Sequence, residues 1–418
     1  MNESTTTVVV TGAGLATPLG TDAGTIAGRL ARGESGIGPF RAFDVAGLGF
    51  SAGAETPAVD IAARLRFPKN EKFMGRSVRL AFHAALDAVA SSRLDLGALD
   101  PFRVAVYTGS GQTGLESAEF FGGLEAAATG PEVPDFRDLG GRASRAIDRY
   151  WSIRTLANAG LGLLSMEFGA KGPSANFVQG DTASLQAVEA GVAELIEGRC
   201  DAVVAGGYDS LFTQSTALAY ARAGLLSAAP PEGVRGPFDG SRDGIVLGEG
   251  AGFVLLEREA DARRRGAPVI GRLLGFGSAT HSGEAPPKSV AATAARAIAE
   301  ATGGARPDFV VAHGIATLEG DRDEARLLYE LAAGVPVTAF KGATGYLGAA
   351  TGAVELILAM LAARDRTVPP IARLEAPDEG LGLDLVRAEP RPLAAAAPTA
   401  LCLSWTWSGQ IGAVMIGV

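Results

Sequence analysis

The chain has 418 residues, 47% of them hydrophobic and 20% charged, with a formal net charge of −9. This length predicts two packed halves rather than one ordinary core, and the composition is that of a globular protein. The negative charge argues against a nucleic-acid partner or an anionic membrane surface, and no apolar run reaches the roughly 20 residues of a membrane span.

Two further counts narrow the class of protein. Glycine, at 57 residues, is about twice as frequent as its usual share of ~7%, which predicts many tight turns and close backbone approaches. The two cysteines, Cys200 and Cys402, form no disulfide framework and no zinc-binding spacing. The first seven residues are short and polar, without the pattern of a secretion signal. We therefore expect a cytoplasmic α/β protein with no metal and no cofactor.

Runs of β-branched residues alternate with Ala-rich helical patterns along the chain. Near-continuous apolar strands of this kind predict a sheet that helices cover on both faces. The predicted strands are Val8–Gly12, Arg103–Gly109, Asp201–Gly207, Ala251–Glu257, Asp308–Gly314, Val335–Phe340, Ala400–Trp405 and Ile411–Val418. The predicted amphipathic helices are Arg76–Ser91, Thr182–Glu197, Val290–Ala301 and Ala353–Ala363. Each half ends in a pair of strands, and we place the two halves at residues 1–257 and 258–418.

The stretch from Phe120 to Arg149 has scattered Gly, Pro and Asp residues. It predicts an irregular insertion, a kind of segment in which partners or substrates often bind. Just before it, Gly109–Gly114 reads GSGQTG, which matches G-x-G-x-x-G after a strand. A dinucleotide site also needs a clean helix and a second strand. The irregular stretch follows instead, so we reject the dinucleotide interpretation.

Asp181 stands at the start of the second predicted helix. The preceding GPSANFVQG, Gly172–Gly180, predicts a turn and a short extended run. Asp is among the best N-cap residues, and the positive end of the helix would keep its carboxylate ionised. A helix cap and a catalytic acid are equally open for Asp181 at this point.

Two strand ends in the second half carry polar groups. His313, one of three histidines, is followed by a predicted polar loop that contains Asp321 and Glu324. Active-site groups of open α/β sheets lie beyond such strand ends, although a lone histidine is more often structural. Lys341 begins a Gly-rich turn after the next strand. It is expected either to position an anionic or carbonyl group or to bind a carboxylate such as Glu355.

The stretch Gly236–Glu257 carries several charged residues, namely Asp239, Arg242, Asp243 and Glu249. Their spacing does not fit an EF-hand, which needs acids at alternate positions and a terminal Glu. We interpret the stretch as a buried ion-pair turn rather than a metal-binding loop.

Taken together, these stretches resemble the β-ketoacyl synthase family, the condensing enzymes of fatty-acid and polyketide synthesis. The resemblance runs from VVVTGAGLATPLG to the C-terminus, and FDGSRDGIVLGEGAG, AHGIATLEGD and KGATGYLGAATGAVE carry it in the family order. It implies a thiolase-like fold, with two similar βαβαβ-type halves in an α-β-α-β-α layered architecture that is usually dimeric.

The resemblance also implies which family residues are kept and which are replaced. The cysteine that accepts the acyl chain falls on Asp181. The two histidines that polarise the thioester carbonyl fall on His313 and Tyr346, and the family lysine falls on Lys341. An acyl-aspartate anhydride is a poor storage form in water, and a phenol titrates far above an imidazole. The replacements therefore argue against condensation by this chain.

The C-terminal turn of the family differs here as well. Its Gly-Phe-Gly-Gly sequence, whose backbone helps form the oxyanion hole, corresponds to Thr406–Gly409. Trp407 takes the place of the gating Phe, while Thr406 and Ser408 replace flanking glycines and narrow the backbone freedom of the turn.

These departures imply a partner subunit similar to the chain length factors of type II polyketide synthases, which pair with a Cys-bearing ketosynthase as a heterodimer. The predicted residues of a shared substrate tunnel are Gln112, Phe120, Phe121 and Trp407. Core packing is the alternative for the two phenylalanines. A second hypothesis is a stand-alone enzyme in which Asp181, His313 and Tyr346 perform acid–base or hydrolytic chemistry on acyl thioesters. Active homodimeric condensation is a third.

A basic stretch, Ala63–Arg79, indicates a further partner. It contains Arg64, Arg66, Lys69, Lys72, Arg76 and Arg79 against the single acid Glu71. In a chain of negative net charge, such a patch is suited to dock an acidic acyl carrier protein. We predict docking at Arg64, Arg66, Lys69 and Lys72, and the alternative is a solvated helical face.

Overall fold

The computed structural model describes residues 6–111, 117–128, 139–281 and 287–418. Strands and helices alternate through these residues. The strands, in chain order, are β1 (Val8–Ala16), β2 (Gly38–Pro39), β3 (Ala52–Gly53), β4 (Val104–Ser110), β5 (Ser174–Phe177), β6 (Ala202–Ser210), β7 (Glu249–Arg258), β8 (Gly271–Thr280), β9 (Phe309–Val311), β10 (Pro336–Thr338), β11 (Thr367–Val368), β12 (Asp384–Leu385), β13 (Arg391–Pro392), β14 (Thr399–Trp405) and β15 (Gln410–Gly417).

The helices include the four that the sequence predicts, each within three residues of its predicted ends. In chain order they are α1 (Ala23–Ala31), α2 (Arg76–Ser92), α3 (Ser117–Ala127), α4 (Ser144–Ala146), α5 (Trp151–Arg154), α6 (Ala159–Phe168), α7 (Ala183–Ile196), α8 (Gln214–Arg222), α9 (Glu259–Arg264), α10 (Pro287–Thr302), α11 (Leu318–Ala332), α12 (Lys341–Thr344) and α13 (Thr351–Arg364). None of the helices in the described ranges is long and apolar enough to cross a membrane.

The sheet repeats one strand order in the two halves. The first half runs β5-β4-β6-β7-β1, and the second runs β10-β9-β14-β15-β8 with β12 added at its edge. Within each half the strands thus lie in the order third, second, fourth, fifth, first. In both, the last two pairings are antiparallel and the others parallel. This repeat confirms the predicted thiolase-like fold of two similar halves.

Strand β8 is missing from the sequence prediction. Its sequence, GRLLGFGSAT, contains three glycines and lacks the continuous apolar run of the other long strands, because it is only partly buried. It joins the two halves by pairing Gly271–Leu273 with Val8–Val10 of β1. The predicted boundary after residue 257 falls one residue before the end of β7 and stays a prediction.

Three clusters of buried side chains fill the spaces between the layers of strands and helices. One lies between the two halves, around α7 and α13, and takes residues from both sets of strands. A second packs α2 and α6 against the outer face of the first half. The third packs α10 and α11 against the second half. Helices and strands therefore alternate as the layers α-β-α-β-α.

Helix α13 lies in the central layer and is buried on almost every face. The prediction of an amphipathic helix at Ala353–Ala363 is wrong in this respect, because a helix between two sheets has no solvent-facing side. The close packing needs glycine: a Cβ on Gly252 of β7 would lie 2.8 Å from the Val354 nitrogen. Gly109 of β4 serves the same purpose, since its Cβ would lie 2.4 Å from the Ser184 nitrogen of α7.

The predicted irregular insertion, Phe120–Arg149, is partly regular. Helix α3 covers Ser117–Ala127, and a π-helical turn at Leu139–Ala143 leads into α4. Here Leu, Glu and Ala outweigh the two glycines in helix propensity. A Cβ on Gly123 would lie 2.4 Å from the Ile147 side chain, which explains one glycine by packing.

Candidate functional site

Asp181 lies in a single 3₁₀ turn, Gly180–Thr182, between β5 and α7. Gly180 has a φ of 56°, a left-handed conformation that favours glycine. Helix α7 begins at Ala183, its N-cap is Thr182, and no side chain caps it. The N-cap interpretation of Asp181 is therefore wrong, because its carboxylate bonds to a side chain from the second half instead.

The carboxylate of Asp181 is buried and only partly satisfied. The Tyr346 hydroxyl donates to Oδ2 at 3.0 Å. Oδ1 makes no well-formed hydrogen bond in the described part of the chain, although the Thr351 hydroxyl lies close enough to lower the pKa of the group. Burial raises the pKa of Asp181 to about 7, although the nearby Lys341 acts in the opposite direction. The expectation that the helix end keeps this group ionised is thus overturned, since desolvation is the larger effect.

Tyr346 follows α12 and is fixed by its backbone. Its N–H donates to the Val246 carbonyl at 2.8 Å, and its carbonyl accepts from Gly248 at 2.9 Å. The Tyr220 oxygen lies 3.5 Å from the Tyr346 oxygen. Burial and the Asp181 carboxylate raise the pKa of Tyr346 well above its ordinary value. Tyr346 therefore stays a phenol and acts as a hydrogen-bond donor to Asp181.

Lys341 links three buried groups at the start of α12. Its Nζ lies 2.9 Å from Glu355 Oε1 and 3.3 Å from His313 Nδ1, and it also donates to the His313 carbonyl. The predicted pairing of Lys341 with Glu355 is confirmed. Burial raises the pKa of Glu355 to about 7, while the bond to Lys341 opposes this rise.

His313 follows β9, and Glu324 holds its backbone. Glu324 accepts the N–H of His313 at 2.7 Å and that of Gly314 at 2.8 Å. The sequence predicts a polar loop for Asp321 and Glu324, which is wrong because both lie in the first half of α11. Burial raises the pKa of Glu324 to about 8. Glu324 is thus a supporting residue whose role the sequence alone does not reveal.

The His313 ring has a defined protonation state. Because Lys341 Nζ can only donate, Nδ1 accepts, and the remaining ring proton lies on Nε2. Burial and the Lys341 charge lower the pKa of His313 well below its ordinary value. Nε2 has no partner among the described residues, so the neutral ring offers one unused N–H donor. The ring packs edge-on against Trp405, with centroids 5.8 Å apart.

A cavity of about 510 Å³ lies beside His313. Its walls are mostly apolar and include Trp405, Trp407, Ile315, Leu327 and Ile411. Asp181 and Tyr346 do not line it, and within the described ranges Asp181 and His313 share no hydrogen bond. By hydrogen bonding the predicted site residues form two pairs, Asp181 with Tyr346 and His313 with Lys341, while Lys341 lies near enough to Asp181 to act on its pKa.

Comparison with known proteins identifies the family. Residues 5–262 match the profile of the β-ketoacyl synthase N-terminal domain, and residues 270–375 match that of the C-terminal domain. The chain belongs to the β-ketoacyl synthase family.

Relatives over nearly the whole length agree with this family. A 3-oxoacyl-[acyl-carrier-protein] synthase 2 of Coxiella burnetii is 30% identical, with 98% of each chain covered. A Streptomyces cyaneus protein, whose name provisionally assigns it as a polyketide β-ketoacyl synthase, is 33% identical with 92% of each covered. A chain of the solved ishigamide ketosynthase/chain length factor superposes with a TM-score of 0.86 at 25% identity, covering 99% of this chain and 100% of that chain.

The β-ketoacyl synthase fold of this chain keeps one glycine in the C-terminal turn. Gly409 has a φ of 87°, and a Cβ there would lie 2.3 Å from the His281 carbonyl oxygen, so only glycine fits. Trp407 is 54% exposed and contributes to the cavity wall. Its gating role stays a prediction.

The Arg242 turn of this chain is an ion-pair turn, as predicted. Arg242 is buried, and its Nε lies 2.8 Å from Asp321 Oδ2. It also donates to the Asp239 and Leu318 carbonyls. Glu249 is paired with Arg76. The turn therefore connects the first half to α11.

Of the predicted tunnel residues, Trp407 lines the His313 cavity, whereas Phe120 and Phe121 do not. Phe120 stacks on Trp151, with ring centroids 5.4 Å apart, and Phe121 is half-exposed. Neither lines the cavity, and Gln112 lies outside the described residues. A tunnel role for these three residues stays a prediction.

The predicted basic patch is smaller than its sequence indicates. Three cations are paired with acids, namely Arg64 with Asp87, Arg76 with Glu249 and Arg79 with Glu71. Arg66, Lys69 and Lys72 are exposed and have no acidic partner in the described residues. Docking by Arg64 is therefore the least supported part of the prediction.

Both cysteines are buried, as expected of packing residues. Burial raises the pKa of the Cys200 thiol to about 11 and that of Cys402 further. Neither thiol is a reactive thiolate at neutral pH.

Proposed function

We propose that this chain is a ketosynthase-like subunit that does not condense acyl chains itself and pairs with a Cys-bearing ketosynthase. The observation that carries the proposal is Asp181. The residue at the turn before the central helix is a buried carboxylate bonded to Tyr346, and not a thiol. A carboxylate at this position offers no thioester, and both cysteines are buried with raised pKa values.

The part of the site around His313 and Lys341 supports this proposal, because it forms a pocket that contains no nucleophile. His313, Lys341 and Glu355 keep their mutual contacts, and the adjacent cavity has mostly apolar walls. Similarity to the ishigamide ketosynthase/chain length factor is consistent with a chain length factor role in a type II polyketide synthase. The partners would then be a Cys-bearing ketosynthase, in a heterodimer, and an acyl carrier protein.

Reconstitution tests this proposal. The chain is purified alone and with a Cys-bearing ketosynthase of the same source, and malonyl-carrier-dependent condensation is followed by mass spectrometry. We expect products only from the pair. Replacing the cysteine of the partner by alanine should abolish them, whereas Asp181→Ala should leave them. Condensation by this chain alone would contradict the proposal.

Control of product length is the finer part of the proposal. Phe120→Ala and Phe121→Ala are compared with Phe102→Ala, another exposed phenylalanine outside this region. Longer products from the first two variants, and unchanged products from the third, are expected. An unchanged product length in all three variants would contradict a tunnel role for Phe120 and Phe121.

A stand-alone acid–base enzyme is the second candidate. The pKa of about 7 at Asp181 favours it, because a general base works best near the operating pH. The test is hydrolysis of acyl-carrier thioesters by the chain alone, compared with Asp181→Asn. Hydrolysis that disappears in Asp181→Asn would support this candidate, and absence of hydrolysis by the natural chain would exclude it.

A further inference from the structure

The loop between β14 and β15 forms one rim of the His313 cavity. Thr406, Trp407 and Gly409 line the cavity from this loop, next to Trp405 at the end of β14, and Trp407 has 54% of its surface exposed. The conformation of the loop therefore decides where the Trp407 side chain lies. Its neighbours Thr406, Ser408 and Gln410 carry the polar groups that fix this conformation.

Three side chains in the loop form a closed set of hydrogen bonds. The Thr406 and Ser408 hydroxyl oxygens lie 2.8 Å apart. Gln410 Oε1 lies 3.1 Å from Thr406 Oγ1 and 3.0 Å from Ser408 Oγ. The Gln410 backbone N–H donates to Thr406 Oγ1 at 3.1 Å. Each hydroxyl has one proton, so the two protons make two of the three side-chain contacts at a time, and at least one of them goes to the Gln410 amide oxygen.

Backbone bonds complete the loop, and none of those among the described residues involves Trp407. Thr406 donates its N–H to the Gln410 carbonyl at 2.8 Å, and Gly409 donates to the Thr406 carbonyl at 3.0 Å. The methyl group of Thr406 also faces Gly180, where a Cβ would lie 3.3 Å from it. The loop thus contacts the Asp181 turn through Thr406, and hydrogen bonds among its own side chains stabilise its conformation.

We propose that Thr406, Ser408 and Gln410 are positioning residues that hold Trp407 at the cavity rim and thereby restrict the entry of apolar ligands. Glycine at positions 406 and 408 would supply none of these side-chain bonds. The two substitutions therefore add a constraint to the turn as well as removing backbone freedom. This inference concerns access to the cavity and holds whether or not the chain pairs with a ketosynthase.

The test compares Gln410→Leu with Gln410→Glu. Leucine removes the acceptor oxygen, whereas the carboxylate of glutamate keeps an acceptor oxygen for the hydroxyls. Two quantities are measured on the full chain: hydrogen exchange of the amides of residues 407–409, and the association rate of 1-anilinonaphthalene-8-sulfonate. Ala291→Trp, which fills the cavity wall, identifies the part of the dye signal that comes from this cavity.

In Gln410→Leu we expect both rates to rise roughly fivefold, as the loss of one hydrogen bond implies, with an unchanged melting temperature. Gln410→Glu should behave as the natural chain. Ser408→Ala, at an exposed position, also removes one bond and should give a similar rise. Unchanged rates in Gln410→Leu and Ser408→Ala, or equal effects of Gln410→Leu and Gln410→Glu, would overturn the proposal.

Discussion

Two buried carboxylates in this molecule, those of Asp321 and Asp181, differ in how fully hydrogen bonds and a nearby cation offset the cost of burying them. Asp321 accepts the Phe238 N–H at 2.8 Å and the Ala316 N–H at 3.0 Å, and it lies 2.8 Å from the Arg242 guanidinium. The Asp181 carboxylate accepts one hydrogen bond, from Tyr346, and its Oδ1 makes no well-formed bond in the described part of the chain, although the Thr351 hydroxyl lies close enough to oppose the rise of its pKa. Burial raises the pKa of both groups.

The difference separates a structural group from a site. A carboxylate with every oxygen satisfied and a cation beside it holds two segments together. A buried carboxylate left partly unsatisfied lowers stability, and native proteins keep few such groups outside functional positions. We therefore expect changes at Asp321 and its partners to reduce stability, and neutralisation of Asp181 to increase it.

The largest effect is expected for Arg242→Met. The substitution keeps an apolar chain of similar length but leaves Asp321 buried without a cation. Removing one partner of a buried pair reduces the free energy of unfolding by roughly 3–5 kcal/mol, which urea titration at pH 7 would measure.

The matched control is Arg322→Ala. Arg322 is about half-exposed and paired with Asp378, so the expected loss is below about 1 kcal/mol. An equally small loss for Arg242→Met would contradict the contrast between the two carboxylates.

The next effect concerns Asp181→Asn and pH. The folded-state pKa of about 7 lies above the ordinary value of 3.8, so the folded state binds the proton more tightly than the unfolded chain. Stability from this group is therefore full below about pH 4 and falls as pH rises to about 7. Asp181→Asn should remove this fall and be more stable at pH 8, by on the order of 3 kcal/mol.

Urea unfolding of both proteins at intervals from pH 4 to pH 8 measures this difference. Subtracting the two curves removes the contributions of Glu324, Glu355 and Asp209, whose pKa values burial also raises. Parallel curves would mean that Asp181 has an ordinary pKa.

The sequence predicts the strands and helices that carry the site residues better than it predicts the contacts among their side chains. Apolar strand patterns and four helices place His313, Lys341 and Asp181 at the correct element ends, because burial and periodicity are local properties. The bond between Asp181 and Tyr346 joins residues 165 positions apart, and no local pattern reports such a contact.

The errors have physical causes of the same kind. Asp181 satisfies the sequence preference for an N-cap, but a tertiary hydrogen bond competes for its carboxylate and prevails. Strand β8 is hidden by its glycines, and the cations of the basic stretch find acids that are distant in sequence, such as Glu249 for Arg76. Local propensity yields in each case to contacts that only the folded chain contains.

A smaller effect is expected for Tyr346→Phe, which removes the hydrogen bond to Oδ2 of the Asp181 carboxylate. Above pH 7 the carboxylate is charged and loses its donor, which should reduce the free energy of unfolding by about 1–3 kcal/mol. At pH 5 Asp181 is protonated, and the loss should be smaller. In the double variant with Asp181→Asn the two effects should not add, because the residues are in contact. Additive effects would show that the bond does not form.

The smallest effect is expected at the surface, for the binding of an acyl carrier protein. Lys69 and Lys72 have no acidic partner in the described ranges, whereas Arg64 and Arg79 are each paired with an acid. An unpaired cation is available to an acidic partner, whereas a paired one must first leave its own carboxylate. Lys69→Gln with Lys72→Gln should weaken binding of an acyl carrier protein roughly fivefold at low salt, and Arg64→Gln with Arg79→Gln less than about twofold. Calorimetric titration at two salt concentrations measures both. Equal weakening by the two pairs would show that net charge alone, and not the absence of a partner, selects the docking residues.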